Sequence, residues 1–213
     1  MKQKNRTDSS FIDYQGPFRS RTDIVLASAS PRRQALLASL GICFQVVPAG
    51  FKEPPAEPGQ SPEKYALCMS GKKAEEISVR KPESLVIAAD TIVVLEDVIM
   101  GKPVSEGHAL EMLSRLQGRT HRVITAVCII PGKPEQARFF TCETLVEMVQ
   151  AQQDTLKQYI KTGEPQDKAG GYAIQGTGAF LVSSVQGSYT NVVGLPLARV
   201  CSVLLDLGAI TSS

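Results

Sequence analysis

A short segment near the amino end combines serines and arginines in a pattern suited to binding an anion. It covers residues 26–33 and reads Leu-Ala-Ser-Ala-Ser-Pro-Arg-Arg. Ser30 and the proline after it are typical of a helix start, whose free N–H groups attract anions. Arg32 and Arg33 oppose the positive end of the helix dipole, which makes sense if phosphate oxygens bind beside them and Ser28. The alternative is a capped helix with two solvated arginines.

A carboxylate follows the most apolar strand that the sequence predicts. Residues 85–89 read Leu-Val-Ile-Ala-Ala, and we predict that this strand stops at Asp90 and Thr91. A carboxylate at such a place is costly to bury unless it has a cationic partner. The position suits a metal ligand or a general base that activates water. In the alternative, Asp90 caps the strand end together with Thr91.

Three further charged residues are candidates because of their neighbours. Lys102 lies in Gly-Lys-Pro, which would hold its ammonium group in a rigid place. Glu53 lies in a proline-rich loop that spans residues 49–61, and Lys73 lies on a predicted helix. Taken separately, Lys102 is also compatible with an ordinary hairpin lysine, and Glu53 and Lys73 with surface charges.

A glycine-rich stretch, residues 164–176, reads Glu-Pro-Gln-Asp-Lys-Ala-Gly-Gly-Tyr-Ala-Ile-Gln-Gly. Its paired glycines would let the backbone approach a ligand closely. Gln175 carries both a donor and an acceptor and is therefore suited to contact the edge of a base. Lys168 adds a positive charge. A glycine-rich turn between two elements is the alternative.

The periodicity of the chain predicts an α/β fold with a mixed, twisted sheet and flanking helices. Apolar runs that indicate strands alternate with helical stripes, and there is neither a repeat nor a linker. Strands are predicted at residues 24–27, 44–47, 85–89, 122–130, 139–149 and 180–185, with a hairpin in 92–100 that turns at Glu96 and Asp97. Helices are predicted to start at Pro31, Pro62 and after Ser105, with others around 156–160 and at 195–207. We expect one domain over residues 23–210, with its site at the carboxyl ends of the strands.

Composition excludes several classes of function. The net charge of +2 offers no basis for a nucleic-acid or membrane-surface partner, and no apolar run is long enough to span a membrane. Five widely spaced cysteines and two histidines favour neither disulfides nor a zinc site, so we expect a reducing compartment, the cytoplasm. Residues 1–22 are polar and predict a disordered tail rather than a secretory signal. The P-loop and Rossmann fingerprints are absent from the sequence.

Together these motifs resemble the Maf family of nucleoside triphosphate pyrophosphatases, named for septum-formation inhibitors. The resemblance covers nearly all of residues 24–207, in the order that the family shows. The matching segments are LASASPRR (26–33), AADTIVV (88–94), GKP (101–103), LSRLQGRTHRVITAV (113–127), EPQDKAGGYAIQG (164–176) and NVVGLPL (191–197). The fold it implies is similar to that of inosine-triphosphatase-like proteins, with two lobes around a central cleft. The resemblance also implies a protein that often forms a homodimer.

The resemblance also implies a reaction, in which a nucleoside triphosphate is hydrolysed to the monophosphate and pyrophosphate with Mg²⁺ or Mn²⁺. Its phosphate-binding residues match Ser28, Arg32, Arg33, Lys73, Lys102 and Lys168. Asp90 matches the proton acceptor, and together with Glu53 it would hold the metal. Arg32, Thr91 and Gln175 match the subgroup that resembles dTTP and UTP pyrophosphatases, whereas the 7-methyl-GTP subgroup has Trp at the first of these positions.

Two other functions stay open at this point. One is a nucleotide-binding regulator of cell division that does not hydrolyse its ligand, although retention of Asp90 and Glu53 speaks against it. The other is a phosphatase that acts on monoesters, which is disfavoured because no second aspartate lies two residues after Asp90.

Overall fold

The computed structural model describes residues 16–213. Within this part, β1 (Phe18–Ser20) pairs antiparallel with β9 (Ile210–Ser212) in a small sheet of its own. The boundary that we predicted for the polar tail at residue 22 is therefore wrong, because three of its residues form a strand with a partner at the far end of the chain. The domain likewise extends past residue 210. The rest of the predicted tail, residues 1–15, lies outside the described residues.

The central sheet is mixed, as the sequence predicts. Within residues 16–213 its main path runs β3 (Gln45–Val46), β2 (Ile24–Leu26), β4 (Leu85–Leu95), β6 (Thr120–Pro131), β7 (Arg138–Met148) and β8 (Val182–Gln186), with β5 (Val98–Met100) as a further partner of β4. β2 is parallel to both of its neighbours, while β4, β6, β7 and β8 pair antiparallel. The α/β class with a mixed sheet and flanking helices is confirmed.

Helices pack on both faces of this sheet. They are α1 (Pro31–Ala38), α2 (Pro62–Arg80), α3 (Glu106–Leu116), α4 (Gln153–Lys161), α5 (Tyr189–Val193) and α6 (Leu197–Asp206). The predicted starts of α2 and α3 are confirmed, since Ser61 and Ser105 each accept a backbone N–H through the side chain. Of these helices in residues 16–213, none is both long and apolar enough to cross a bilayer. The sequence did not predict α5, which is a single short turn of helix.

Strand β4, which carries Asp90 and Thr91, is longer than predicted. It does not stop at Asp90 but continues to Leu95, because β6 pairs with it without interruption from Leu85 to Val94. On its other edge, β2 pairs with residues 85–87 and β5 with residues 93–95. The hairpin into β5 turns at Glu96 and Asp97, as predicted, and both have positive φ. In the described chain, residues 88–92 of β4 thus face a gap between β2 and β5.

Apolar packing changes at this gap on both faces of β4, since alternate residues of a strand point to opposite faces. On one face, residues 85, 87 and 89 pack with α1 and α6, whereas 93 and 95 pack with α3 and α4. On the other face, residues 86 and 88 and then 92 and 94 pack along α2. Thr91 and Asp90 lie between these clusters, one on each face. Asp90 and Thr91 therefore lie at the boundary between the two halves of the apolar core.

A buried pair ties the glycine-rich stretch to the sheet. His121 of β6 is 2% exposed, and its Nε2 shares a hydrogen bond of 2.7 Å with the hydroxyl of Tyr172. The rings also meet edge to face. Nδ1 of His121 has no hydrogen-bond partner among the described residues. Burial lowers the pKa of His121 from 6.5 to about 4, so the ring stays neutral in the folded protein near neutral pH.

This lowered pKa predicts a loss of stability in mild acid. Below pH 6.5 His121 becomes protonated in the unfolded chain, whereas in the folded chain it becomes protonated only near pH 4. The free energy of unfolding should therefore fall as the pH drops through this window, by about 2 kcal/mol at pH 5 from this group alone. Urea unfolding at pH 7.5 and pH 5 tests this against His121→Gln, which does not titrate. We expect the pH change to cost the wild type about 2 kcal/mol more than the variant; equal losses would contradict the prediction.

Candidate active site

The gap in the sheet opens into a cleft of about 540 Å³, a volume typical of small-molecule sites. One wall is the turn from β2 into α1, and the other is formed by residues 167–169 and 172–175. Every residue that we proposed for phosphate binding, catalysis, metal binding or base selection lines this cleft, although these residues come from distant parts of the chain. They are Ser28, Arg32, Arg33, Glu53, Lys73, Asp90, Thr91, Lys102, Lys168 and Gln175.

At the floor of the cleft a lysine joins the two predicted acidic residues. Nζ of Lys73 lies 2.6 Å from Oδ1 of Asp90 and 2.7 Å from Oε1 of Glu53. Asp90 is 5% exposed, so the lysine takes the place of water as the partner of its carboxyl group. The helical position of Lys73 on α2 and the strand position of Asp90 on β4 bring them together because α2 packs along that face of β4.

The loop that carries Glu53 is held on both sides of this residue by α2. Glu76 accepts hydrogen bonds from the backbone N–H groups of Gly50 and Phe51, at 3.0 and 3.3 Å. Tyr65 donates its hydroxyl to the carbonyl oxygen of Pro54 at 3.0 Å. These contacts, with the Lys73 ion pair, position a carboxylate that lies in a segment without regular structure. One helix therefore positions both the loop and the cation.

The charges of the cleft keep Glu53 ionised. Burial, the largest single influence, raises the pKa of this carboxyl, but the hydrogen bond and charge of Lys73 together with the charges of Lys102 and Arg33 lower it by more. The net pKa lies below the ordinary value. Burial and the neighbouring carboxylates Asp90 and Glu53 raise the pKa of Tyr65. Glu53 is thus a negatively charged oxygen donor within a basic cleft.

Arg33 is committed to the wall of the cleft. Its Nε donates to the carbonyl oxygen of Gly194 at 2.7 Å, and its two Nη atoms donate to the hydroxyls of Ser28 and Thr91 at 3.2 and 3.0 Å. Three of its five N–H groups are therefore used in joining α1, β4 and the link before α6. Burial, chiefly, lowers its pKa, and nearby Asp90 offsets part of the effect. Two N–H groups are left for a ligand.

Arg33→Lys should therefore weaken both the fold and ligand binding, since an ammonium group cannot reach three partners from one position. We expect the free energy of unfolding to fall by about 1–3 kcal/mol, the cost of leaving buried acceptors unpaired. Chemical denaturation and the affinity for a polyphosphate anion measure the two effects. Arg80→Lys, at an exposed position of α2, is the matched control. A variant as stable as this control would contradict the assignment.

The opposite wall is also charged. Lys168 is largely buried and pairs with the carboxylate of Asp167. That ion pair, together with the charge of Arg32 across the cleft, lowers the pKa of Asp167. Lys102 and Gln175 are exposed and line the same opening. The cleft therefore holds a surplus of positive charge close to an amide that can bind a base.

One expectation for the glycine-rich stretch is wrong. Gly170 and Gly171 do not line the cleft but are buried against the protein itself. Gly170 has a φ of 74°, and a Cβ there would lie 3.0 Å from the side chain of Val93 on β4. The close backbone approach that we expected toward a ligand is an approach to the sheet. It lets the stretch pack tightly enough for the residues after it to reach the cleft.

Sequence reasoning missed three residues of the site. Tyr65 lies about two helical turns before Lys73, so the helical period could have placed both on one face. Thr125 shares a 2.8 Å hydrogen bond with the hydroxyl of Thr91, and a threonine inside the apolar strand β6 was the available signal. Gly194 accepts from Arg33 through a carbonyl oxygen, which no sequence pattern reveals.

The chain is similar to several known proteins over most of its length. The model of the family described as Maf-like protein matches residues 23–207. The dTTP/UTP pyrophosphatase of Nitratidesulfovibrio vulgaris is 46% identical over 92% of each chain. The protein of the same name from Oleidesulfovibrio alaskensis is 44% identical over 95% of this chain and 93% of its own. A solved dITP/XTP pyrophosphatase from Mycobacterium abscessus is 16% identical, with a TM-score of 0.42 over 87% of this chain and 95% of its own.

Proposed function

The chain belongs to the Maf family, and on that premise we propose that it hydrolyses dTTP and UTP to the nucleoside monophosphate and pyrophosphate. The observation that carries the proposal is the pairing of Lys73 with both Asp90 and Glu53 at the floor of a basic cleft. Relatives that bear the name dTTP/UTP pyrophosphatase match nearly the whole chain. Modified pyrimidine nucleotides are further candidate substrates.

Positively charged side chains would bind the triphosphate. Arg32 and Arg33 line the cleft beside the start of α1, where the side chain of Ser30 makes no cap bond with the helix. Backbone N–H groups of that first turn are available to phosphate oxygens. Lys102 and Lys168 approach from the opposite side. Hydrolysis at a phosphorus surrounded by negative oxygens requires mainly such neutralisation and alignment.

Asp90 is the residue that we propose as proton acceptor. Its carboxylate lines the cleft, with Oδ1 held by Lys73 at 2.6 Å. A fixed carboxylate can orient a water molecule and take its proton as the water attacks the α-phosphorus. The bond between that phosphorus and the bridging oxygen then breaks, and pyrophosphate leaves. Lys73 keeps Asp90 in place during this step.

A divalent cation fits the residues that are present. Asp90 and Glu53 each use one carboxylate oxygen to contact Nζ of Lys73. Their other oxygens are hard donors of the kind that Mg²⁺ and Mn²⁺ prefer, and they would be the ligands of such an ion. Among residues 16–213 no group of three or more His, Cys, Asp or Glu side chains could hold a metal ion, so water and phosphate oxygens would have to complete its coordination. When bound, Mg²⁺ or Mn²⁺ would neutralise charge on the phosphate oxygens.

Selection of the base is assigned to Arg32, Thr91 and Gln175. Gln175 is exposed on the wall opposite α1 and can donate and accept at the edge of a pyrimidine. The hydroxyl of Thr91 is bound to Arg33 and Thr125, so its contribution would be to place Arg33 rather than to touch the base. Cytoplasmic location and a homodimer stay predictions alongside this function.

A panel of nucleoside triphosphates tests the proposal. The protein is incubated with each nucleotide and with Mg²⁺ or Mn²⁺, and pyrophosphate, monophosphate and orthophosphate are quantified. We expect pyrophosphate and monophosphate in equal amounts, with dTTP and UTP preferred over purine nucleotides and 7-methyl-GTP. Tight binding without any product would favour the alternative, a nucleotide-binding regulator of cell division. A purine preference would refute the assignment of Arg32, Thr91 and Gln175.

A further inference from the structure

A carboxylate outside the cleft collects an unusual number of donors. Oε1 of Glu164 accepts the backbone N–H of Thr177 at 2.9 Å. Its Oε2 accepts the N–H of Gly178 at 2.7 Å and the hydroxyl of Tyr159 at 2.8 Å. Although burial tends to raise the pKa of Glu164, these donors lower it overall, so the group stays ionised. Charge-assisted hydrogen bonds of this kind are stronger than neutral ones.

Tyr159 extends the same contact to the other end of the segment. Its hydroxyl, which donates to Glu164, also accepts the N–H of Ala173 at 3.2 Å. The tyrosine is 2% exposed and belongs to the core formed with α3 and α4. The segment from Ala173 to Gly178 is therefore fixed at both ends by one pair of side chains, and Gln175 lies between the fixed points.

The fit of this segment leaves no room for movement toward the pair. A Cβ on Gly176 would lie 2.1 Å from Oε1 of Glu164, and one on Gly178 would lie 2.3 Å from the hydroxyl of Tyr159. Residues 173–176 belong to no helix or strand, so beyond the anchor that Tyr172 makes with His121 the sheet does not position them. The backbone around Gln175 thus depends on Glu164 and Tyr159 for its place in the wall of the cleft.

We propose that Glu164, acting with Tyr159, is a positioning residue for substrate selection, because it holds the segment that presents Gln175 to the base. The inference rests on the proposed function, in which Gln175 contacts the pyrimidine. Neither Glu164 nor Tyr159 lines the cleft, so both act through Gln175 rather than on the nucleotide.

Kinetics with two nucleotides test this inference. kcat and KM are measured with dTTP and dGTP for the wild type, Glu164→Gln, Tyr159→Phe, Gln175→Ala and the double variant Glu164→Gln/Gln175→Ala. In Glu164→Gln the side-chain NH₂ group replaces one carboxylate oxygen and cannot accept a hydrogen bond. In Tyr159→Phe the N–H of Ala173 loses its acceptor. We expect each single variant to raise the KM for dTTP about three- to tenfold with kcat nearly unchanged, and to lower the preference for dTTP over dGTP equally.

The double variant distinguishes positioning from general support of the fold. If Glu164 acts through Gln175, its substitution should have no further effect once Gln175 is alanine. The inference would be overturned if the double variant showed the product of the two single effects, or if kcat fell equally for dTTP and dGTP. Glu111→Gln, an exposed position on α3, is the matched control. Should Glu164→Gln not fold, Glu164→Asp keeps the charge and tests the same prediction, because its shorter side chain withdraws the carboxylate from the segment.

Failure of the inference and failure of the proposed function give different results. A wild type that releases no pyrophosphate from dTTP refutes the function. A wild type that hydrolyses dTTP with an unchanged nucleotide preference in Glu164→Gln and Tyr159→Phe refutes only the positioning role.

Discussion

Asp90→Asn is expected to lower turnover by about 10²–10⁴-fold, the contribution typical of a general base. Asparagine has nearly the same shape and can still accept the hydrogen bond from Lys73 through its amide oxygen. It cannot take a proton from water. Affinity for a triphosphate should be retained or should rise slightly, since one negative charge leaves a cleft that binds an anion.

Single-turnover hydrolysis of dTTP and the affinity for an analogue with a methylene bridge between the α and β phosphates separate these two effects. Asp206→Asn, at an exposed position on α6, is the control for the chemical change itself. Unchanged turnover in Asp90→Asn would remove Asp90 from the mechanism. Loss of binding with normal turnover at saturation would make it a ligand contact instead.

Lys73→Met is expected to have the second large effect. The substitution keeps the length of the side chain but leaves Asp90 and Glu53 facing each other without the cation that now lies 2.6 and 2.7 Å from them. Repulsion between the two carboxylates should displace Glu53, whose loop is less buried than β4. We expect turnover to fall by about 10²–10³-fold, as for other fixed charges at a transition state.

The neighbouring residue offers a close control for Lys73. Lys72 is exposed on the same helix, so Lys72→Met makes the same chemical change one position away. Its turnover should match that of the wild type. If both methionine variants lost activity equally, the effect would belong to the charge of α2 as a whole and not to the contact with Asp90.

Much of this fold could be predicted because its signals are local. The apolar stripe of α3, the serine caps of α2 and α3, and the turn at Glu96 and Asp97 each depend on residues a few positions apart. Several residues of the candidate site could also be identified, since a polar or charged residue stands out in an apolar strand, a glycine-rich loop or a helix start. Glu53 and Lys73 were assigned a role only through the family resemblance. The structure brings them into one cleft.

Features that could not be predicted depend on contacts far apart in the sequence. The end of β4 was misplaced at Asp90 because pairing with β6 carries it on to Leu95. Arg33 meets Gly194 across 161 positions, and β1 is a strand only because β9 returns to it. The paired glycines were assigned to a ligand because a glycine pair indicates a close approach of the backbone but does not identify its partner. In the structure that partner is the sheet.

The direct test of the central claim is the fate of labelled water. The protein is incubated with dTTP and Mg²⁺ in H₂¹⁸O, and the products are analysed by mass spectrometry. If water oriented by Asp90 attacks the α-phosphorus, one ¹⁸O atom appears in each dTMP and the pyrophosphate is unlabelled. Label in pyrophosphate or orthophosphate would place the attack at another phosphorus and contradict the account.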